Sequence, residues 1–555
     1  MQVSTRMPGD VMWRSSTKNR TLRLAVGSLA AFAICLTLCV VTAAATVSGD
    51  KSRSRAERAL REGEYALAEQ IYRELLSKDA HDNDARLGLS FALLKQRNLQ
   101  DAYDHAARVI LAEPLSSRAH ALLGAALLAS GDFRNSVEEF RTALSINEDE
   151  ALAIAGLAMI DFYENRLESA IRGLRRASAL SPNEPDYIFN LGQAAARNER
   201  YKEAADAYER FLLVAPKTDA DRRARIHGLI EFLRYLGKQG SLYLLAGGNR
   251  TVLPFEASDT RPILLIRVNG EKTPLRFVLD TGSGMSVVSE ETAKRLGLRP
   301  VARGGMARAV GGGGRFEILY GFLSSIEIGN VRVENVPVYI RHFFDDKASV
   351  DGYLGLSMIS KFIASVDYGE RTFTLVRQRQ SDVDLWSTVY RSDSGAVKSL
   401  APVVSGMAIP LRTTSSGFLS GEVRLEGIDR PLNFIIDTGA SVSVVSEKLA
   451  ALDEMSSFIQ PSRMRVFGAA GIAENVKTLI LPRVMLGTFT KEKISAAVLD
   501  LEPVNETAGF TQSGILGGNF LKHFRISFDF QRGVIRLEPL NQTAKGADGP
   551  RPEKM

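Results

Sequence analysis

Cysteine is nearly missing from this chain of 555 residues: there are two, Cys35 and Cys39, both within the first 50 positions. Everything after them therefore has no disulfide, no thiolate nucleophile and no cysteine-held metal. Histidine is also scarce. Its six occurrences, at 81, 105, 120, 227, 342 and 523, form no HExxH or other close metal-ligand spacing. Serines are many, but none sits in a GxSxG elbow. The run Gly311–Gly314 is not followed by Lys-Ser/Thr, so it does not read as a phosphate loop. No metal and no organic cofactor is expected. A surplus of one charge is missing too. The formal net charge is +6, and half of it lies in the first 50 residues, where Arg6, Arg14, Lys18, Arg20 and Arg23 face Asp10 and Asp50. The rest of the chain mixes its signs, which argues against a nucleic-acid partner. With 45% hydrophobic and 24% charged residues the chain is not disordered throughout, and its length predicts roughly two to four domains.

Charge is absent altogether from Leu24 to Gly49. About 20 helical residues cross a hydrocarbon core of roughly 30 Å, so this stretch is long enough to span. Arg14, Lys18, Arg20 and Arg23 precede it and favour a cytoplasmic N-terminus. The reading is a basic cytoplasmic segment over 1–23 and a transmembrane anchor over 24–49, with the remaining domains outside the cytoplasm, periplasmic if the source is bacterial. A cleaved signal peptide is the alternative, because Ala43, Ala44 and Ala45 offer a cutting site; the product would then be secreted or periplasmic.

Between residues 51 and 217 a period of 34 takes over. Tyr65, Leu99, Phe133, Leu167 and Tyr201 form one series, and Ala68, Ala102, Ser136, Ala170 and Ala204 follow three residues on. A third series, Tyr72, Ala106, Phe140, Leu174 and Tyr208, lies seven residues after the first. Offsets of 3, 4 and 7 place all three on one helical stripe. Pro114, Pro182 and Pro216 mark helix ends at one repeat position, with Glu148 there in the third repeat, and Gly63 and Gly131 mark turns. The pattern resembles the tetratricopeptide repeat family. That resemblance implies five helical hairpins, a capping helix near 219–236, and a concave surface that would hold a protein or peptide partner.

After about residue 245 short β-branched runs punctuated by glycine replace the helical period, and they occur twice in the same order. PLRFVLDTGSGMSVVSE from Pro274 returns as PLNFIIDTGASVSVVSE from Pro431. The glycine-rich tract at Val310–Gly314 returns at Phe467–Gly471, and GYLGLSMISKFIASVDY from Gly352 returns as GILGGNFLKHFRISFDF from Gly514. The first two pairs are offset by 157 residues and the third by 162, so five extra residues read as a loop insertion. Each copy delivers an Asp at the end of an apolar strand: Asp280-Thr281-Gly282 and Asp437-Thr438-Gly439. A pseudo-twofold axis relating the copies would bring the two carboxylates face to face. Two carboxylates about 3 Å apart cannot both ionise cheaply and share one proton, which suits them to general acid–base work on a single water. Asp367 and Asp529, which also match between copies, read as structural.

Both copies resemble retroviral-type (retropepsin-like) aspartic proteases, on the DTG triplets, the glycine-rich tracts and the late motifs Tyr353-Leu354-Gly355 and Ile515-Leu516-Gly517. The resemblance implies that Asp280 and Asp437 are catalytic. It gives Thr281, Gly282, Thr438, Gly439, Gly355 and Gly517 supporting roles, and it puts Gly311, Gly314, Gly468 and Gly471 in flaps over 306–316 and 464–474. The expected organisation is an all-α repeat superhelix over 51–240, then mostly-β retropepsin-like domains over 250–376 and 404–540, joined by a linker over 377–403 and trailed by a disordered tail over 541–555. The expected function is aspartic endopeptidase, the dyad forming within one chain or, as the alternative assembly, between like copies of two chains. The competing class is a non-catalytic, membrane-anchored peptide-binding scaffold.

Overall fold

The computed structural model describes residues 51–258, 260–344, 349–377, 407–530 and 532–540. The stretch expected to be an anchor (24–49), all but Arg377 of the expected linker, and the tail from 541 lie outside them. The expectation of a membrane-anchored localisation is corrected here: among the described residues no helix is long and apolar enough to cross a membrane.

The N-terminal part is all helix. Helix α1 covers residues 51–62. Then come α2 (Tyr65–Lys78), α3 (Asn83–Lys95), α4 (Leu99–Ala112), α5 (Ser117–Ser130), α6 (Phe133–Ile146), α7 (Ala151–Tyr163), α8 (Leu167–Leu180), α9 (Pro185–Arg197) and α10 (Tyr201–Val214), and α11 (Ala220–Leu236) closes the array. These are five antiparallel hairpins and a cap. The second and third series of the 34-residue stripe are buried throughout, from Ala68 and Tyr72 to Ala204 and Tyr208, while the first series is half-buried except for Phe133. Each hairpin turn places one residue in the left-handed region, and these too recur every 34 positions: Gly63, Arg97, Gly131, Asn165 and Glu199. Only two of the five are glycine, the residue that adopts this conformation without steric cost.

The array closes on itself. Lys95, at the end of α3, pairs with Glu184 at 2.7 Å and with Asp186 at 2.6 Å, both at the start of α9. A Cβ on Gly63 would lie 2.8 Å from the ring of Pro216, so the first repeat touches the end of the fifth. Helix α7 is buried nearly all round, including Ile154, Ala155, Ala158 and Met159. The expected open concave surface is therefore filled by the array's own side chains. The physical reason is the run of alanines and glycines on α5, α7 and α9, which lets the inner helices approach closely.

The C-terminal part is two β units of matching topology. The first contains β1 (Leu244–Gly247), β2 (Arg250–Pro254), β3 (Glu256–Ser258), β4 (Arg261–Val268), β5 (Leu275–Leu279), β6 (Ser286–Ser289), α12 (Glu290–Arg295), β7 (Ala302–Arg308), β8 (Arg315–Ile328), β9 (Val331–Arg341), β10 (Gly352–Leu354), α13 (Leu356–Ile359), β11 (Phe362–Asp367) and β12 (Thr372–Arg377). The second contains β13 (Met407–Pro410), β14 (Arg412–Thr413), β15 (Leu419–Leu425), β16 (Leu432–Ile436), β17 (Ser443–Ser446), α14 (Glu447–Ala450), β18 (Ile459–Gly468), β19 (Gly471–Leu486), β20 (Phe489–Leu499), α15 (Glu502–Ala508), β21 (Gly514–Leu516), α16 (Gly518–Leu521), β22 (Phe524–Asp529) and β23 (Val534–Pro539).

The strand order β9-β6-β10-β5-β4-β8-β7 of the first unit is repeated as β20-β17-β21-β16-β15-β19-β18 in the second. A third sheet, β13-β23-β22-β11-β12-β2, takes strands from both and joins them. At its centre β11 and β22 run antiparallel with Ser365 opposite Ser527, and their hydroxyls are 2.9 Å apart. The pseudo-twofold axis passes between these serines. Beside it Asp367 accepts from the Gly369 and Glu370 N–H groups and from Arg525 across the joint, while Asp529 accepts from the Arg532 N–H. Both aspartates thus serve the sheet.

Candidate active site

Strand β5 is entirely apolar except for Arg276, and β16 except for Asn433; each runs through the middle of its unit and ends on an aspartate. The late strands β10 and β21 pair with them in parallel. The Asp280 N–H donates to Leu354 O at 3.1 Å, and the Asp437 N–H to Leu516 O at 3.0 Å. Gly355 and Gly517, just beyond, donate their N–H groups to Ser286 Oγ and Ser443 Oγ, each at 3.1 Å. These serines were not singled out from the sequence. Their signal was there, since each directly precedes the VVSE shared by both copies.

Thr281 and Thr438 lock the units together. Thr281 Oγ1 donates to Ile436 O at 2.7 Å and accepts from the Thr438 N–H at 3.0 Å. Thr438 Oγ1 donates to Leu279 O at 2.7 Å and accepts from the Thr281 N–H at 3.2 Å. All four bonds are buried, so each carries more weight than an exposed bond would. They hold the two aspartates at a fixed spacing.

The carboxyl groups of Asp280 and Asp437 meet within one chain and hydrogen-bond to each other. Gly282 donates its N–H to Asp280 Oδ1 at 2.9 Å, and Gly439 to Asp437 Oδ1 at 2.7 Å. Each glycine also faces the opposite acid: a Cβ on Gly282 would lie 2.4 Å from Asp437 Cγ, and one on Gly439 would lie 2.5 Å from Asp280 Oδ1. Any side chain there would push the carboxyls apart. Burial lifts the Asp280 carboxyl above its ordinary range, although Ser283, Asp437, the Gly282 N–H and the charge of Arg341 pull it back. Burial and then the charge of Asp280 hold Asp437 well above the ordinary range. Such a pair titrates as a unit and retains one proton where isolated carboxyls would have lost theirs. The copies differ at one neighbouring position, where Ser283 bonds to Asp280 but Ala440 has no hydroxyl to offer Asp437.

Two hairpins, β7–β8 and β18–β19, reach over the acids and touch at their tips. The Ala469 N–H donates to Val310 O at 3.1 Å. A Cβ on Gly311 would lie 2.7 Å from Gly468 Cα, and one on Gly314 would lie 2.3 Å from Ala470 O, while Gly471 sits against Gly312. Only glycine permits this backbone-to-backbone approach. The tips are alike but their supports are not. Helix α11 braces the first: Arg225 donates to Met306 O at 2.9 Å, Asp221 pairs with Arg315, and Phe232 stacks on Tyr320 with centroids 4.2 Å apart. Strand β18 of the second has no buried residue.

The repeats also dock on the second unit. Phe510 enters the repeat core beside Phe133 and Tyr163. The Thr511 N–H donates to Ala129 O at 2.9 Å, and Arg197 donates to the carbonyls of Thr413, Thr414 and Ser415. Phe510 follows α15, in the segment the sequence shows as inserted.

Comparison with known proteins agrees with this architecture. Residues 265–358 match the family model described as "Aspartyl protease", and residues 422–523 match "gag-polyprotein putative aspartyl protease". Tetratricopeptide repeat models match residues 59–126, 117–150 and 156–221. The chain thus carries two aspartyl protease domains of retropepsin-like type behind a tetratricopeptide repeat region. Two curated relatives match part of the chain. Anaphase-promoting complex subunit 3 of Schizosaccharomyces pombe is 28% identical over 24% of this chain and 20% of its own length. Tetratricopeptide repeat-containing protein trd-1 of Caenorhabditis elegans is 29% identical over 20% of this chain and 13% of its own. The chain therefore spans a fifth or less of the length of either. Among solved structures, TTC0263, a thermophilic tetratricopeptide protein of Thermus thermophilus, is 19% identical with a TM-score of 0.29, over 33% of this chain and 98% of that one. MamA is 17% identical with a TM-score of 0.22, over 28% and 92%.

Proposed function

We propose that this chain is an aspartic endopeptidase whose catalytic pair is Asp280 and Asp437. The observation that carries the proposal is the meeting of two buried carboxyls in one chain, each held by the N–H of a glycine whose missing side chain makes room for the other. Burying two acids against each other costs several kcal/mol of stability, a cost that a fold with no use for the pair has no reason to carry. In the reaction, the ionised carboxylate takes a proton from a water held between the pair, and the oxygen forms a bond to the scissile carbonyl carbon. The protonated carboxyl gives its proton to the carbonyl oxygen, leaving a tetrahedral gem-diol. Collapse breaks the C–N bond, moves a proton to the departing amine and returns the pair to its singly protonated state. The flap tips exclude bulk water, which strengthens each of these interactions.

The repeat region suggests protein–protein interaction. Its inner side is filled and its turn edge is committed to the β units, so substrate or partner recruitment would use the outer helices. A non-catalytic peptide-binding role is the rival reading. Incubation of the purified full chain with a diverse peptide library between pH 3 and 8, beside Asp280→Asn and Asp437→Asn, separates the two. Cleavage lost in both variants supports the internal pair. Loss in one alone points to a site between two chains. Binding without cleavage in the wild type makes the scaffold reading the better one.

A further inference from the structure

We infer that the closed cleft selects a substrate with a carboxylate side chain beside the scissile bond on the side of the first β unit, and that Arg341 is the residue that reads it. This rests on the peptidase reading above. Arg341 ends β9, opposite Ser289 of β6. The matching position of the second unit, opposite Ser446, is Leu499. The duplication is thus broken by a charge at one cleft wall.

Among the described residues no carboxylate forms an ion pair with that guanidinium. Phe316 of the first flap lies against the guanidinium, 4.6 Å from ring centroid to Cζ. One Nη2 hydrogen goes to the carbonyl of Ala469 at the tip of the opposite flap. The Nε–H is buried without an acceptor. The anionic influences on the group are Tyr353 and Asp280, and Asp280 is already engaged, accepting from the Gly282 N–H and bonding with Ser283 and Asp437. A guanidinium carries five donors in a planar fork that fits a carboxylate, and among the described residues Arg341 spends one, on Ala469 O. An Asp or Glu side chain entering under the flaps would meet the free donors. The opposite wall differs in kind: Leu499 packs with Val444, Ala497, Met464 and Val310, a surface for an apolar side chain. A mere flap latch would need a single donor and would leave acidic and neutral substrates equivalent.

The test uses the full chain and paired peptides that place Glu or its isostere Gln at each position around an apolar residue. The expected result is a kcat/KM about tenfold or more higher for Glu at one position, as a charge-assisted pair outweighs a neutral hydrogen bond. Arg341→Leu, which copies the second unit, should bring the Glu/Gln ratio near one, and Arg341→Glu should favour Lys there. Arg341→Lys keeps the charge and should retain a reduced preference, which serves if Arg341→Leu does not fold. Equal cleavage of Glu and Gln peptides by the wild type, or an unchanged ratio in Arg341→Leu, overturns this inference and leaves the peptidase reading standing. Failure to cleave any peptide overturns both.

Discussion

Phe510 of the second β unit stands edge-on to Phe133 of the third repeat, with ring centroids 4.9 Å apart and planes at 82°. Tyr163 closes the cluster at 5.0 Å, and Phe510 itself is fully buried. Arg412 covers the Phe133 ring, 3.8 Å from its centroid. The cluster ties a helical array to a β unit more than three hundred residues away in sequence, so the repeats act as a mount for the cleft.

Removing the plug should loosen the mount. Phe510→Ala leaves a cavity between the parts and is expected to cost about 3–5 kcal/mol. Scanning calorimetry should show the repeats and the β units melting together in the wild type and apart in the variant. A variant that melts like the wild type would make the docking incidental.

The acid pair predicts opposite effects on activity and stability. Both carboxyls titrate above their ordinary value of 3.8, Asp437 the further. The singly protonated form therefore persists above the usual carboxylate range, and the pH–rate profile should be a bell placed there. For stability, a raised folded pKa means that the native state holds a proton the unfolded chain has released. The contribution is present in full below 3.8 and falls away as pH rises towards the folded value. Asp437→Asn removes that loss, so it should stabilise the protein at neutral pH, with the advantage fading in acid. Melting temperatures across pH 3–8 decide it, and a stabilisation that grows towards low pH would contradict the sign.

The threonine lock should depend on the hydroxyl alone. Thr281→Ala removes one buried donor and one buried acceptor and leaves Ile436 O and the Thr438 N–H unsatisfied, at about 1–3 kcal/mol for each group. Thr281→Ser keeps the oxygen and should come close to the wild type. Denaturant midpoints and peptidase rates for the two variants give the comparison, and equal loss in both would assign the effect to the methyl group.

In the second hairpin turn Arg97 holds a left-handed backbone, at φ 61°, where the first and third repeats have glycine. Arg97→Gly relieves a strain of roughly 1–2 kcal/mol but adds entropy to the unfolded chain, leaving a net gain of about 0.5–1 kcal/mol. A higher melting temperature with unchanged peptidase rate is the expected outcome, and a lower one would refute it.

The repeats, the duplicated β units and the two aspartates could all be read from the order of residues, because each is written locally or periodically. A 34-residue period needs only one stripe read five times, and Asp280 and Asp437 announce themselves by recurring in the same triplet. Even the left-handed turns follow that period, though Arg97, Asn165 and Glu199 conceal it by not being glycine. How these parts meet emerged only from the packing in three dimensions. The closing of the array through Lys95, Glu184 and Asp186 turned an expected groove into a core. An insertion that read as a loop became α15 and the Phe510 plug. Arg341 gained its meaning only under the opposite flap, beside Phe316. Such contacts join residues with no shared period and separations of up to 382 positions, as between Ala129 and Thr511. They arise where surfaces happen to fit once each element has formed, and complementarity of shape between distant segments leaves no pattern along the chain.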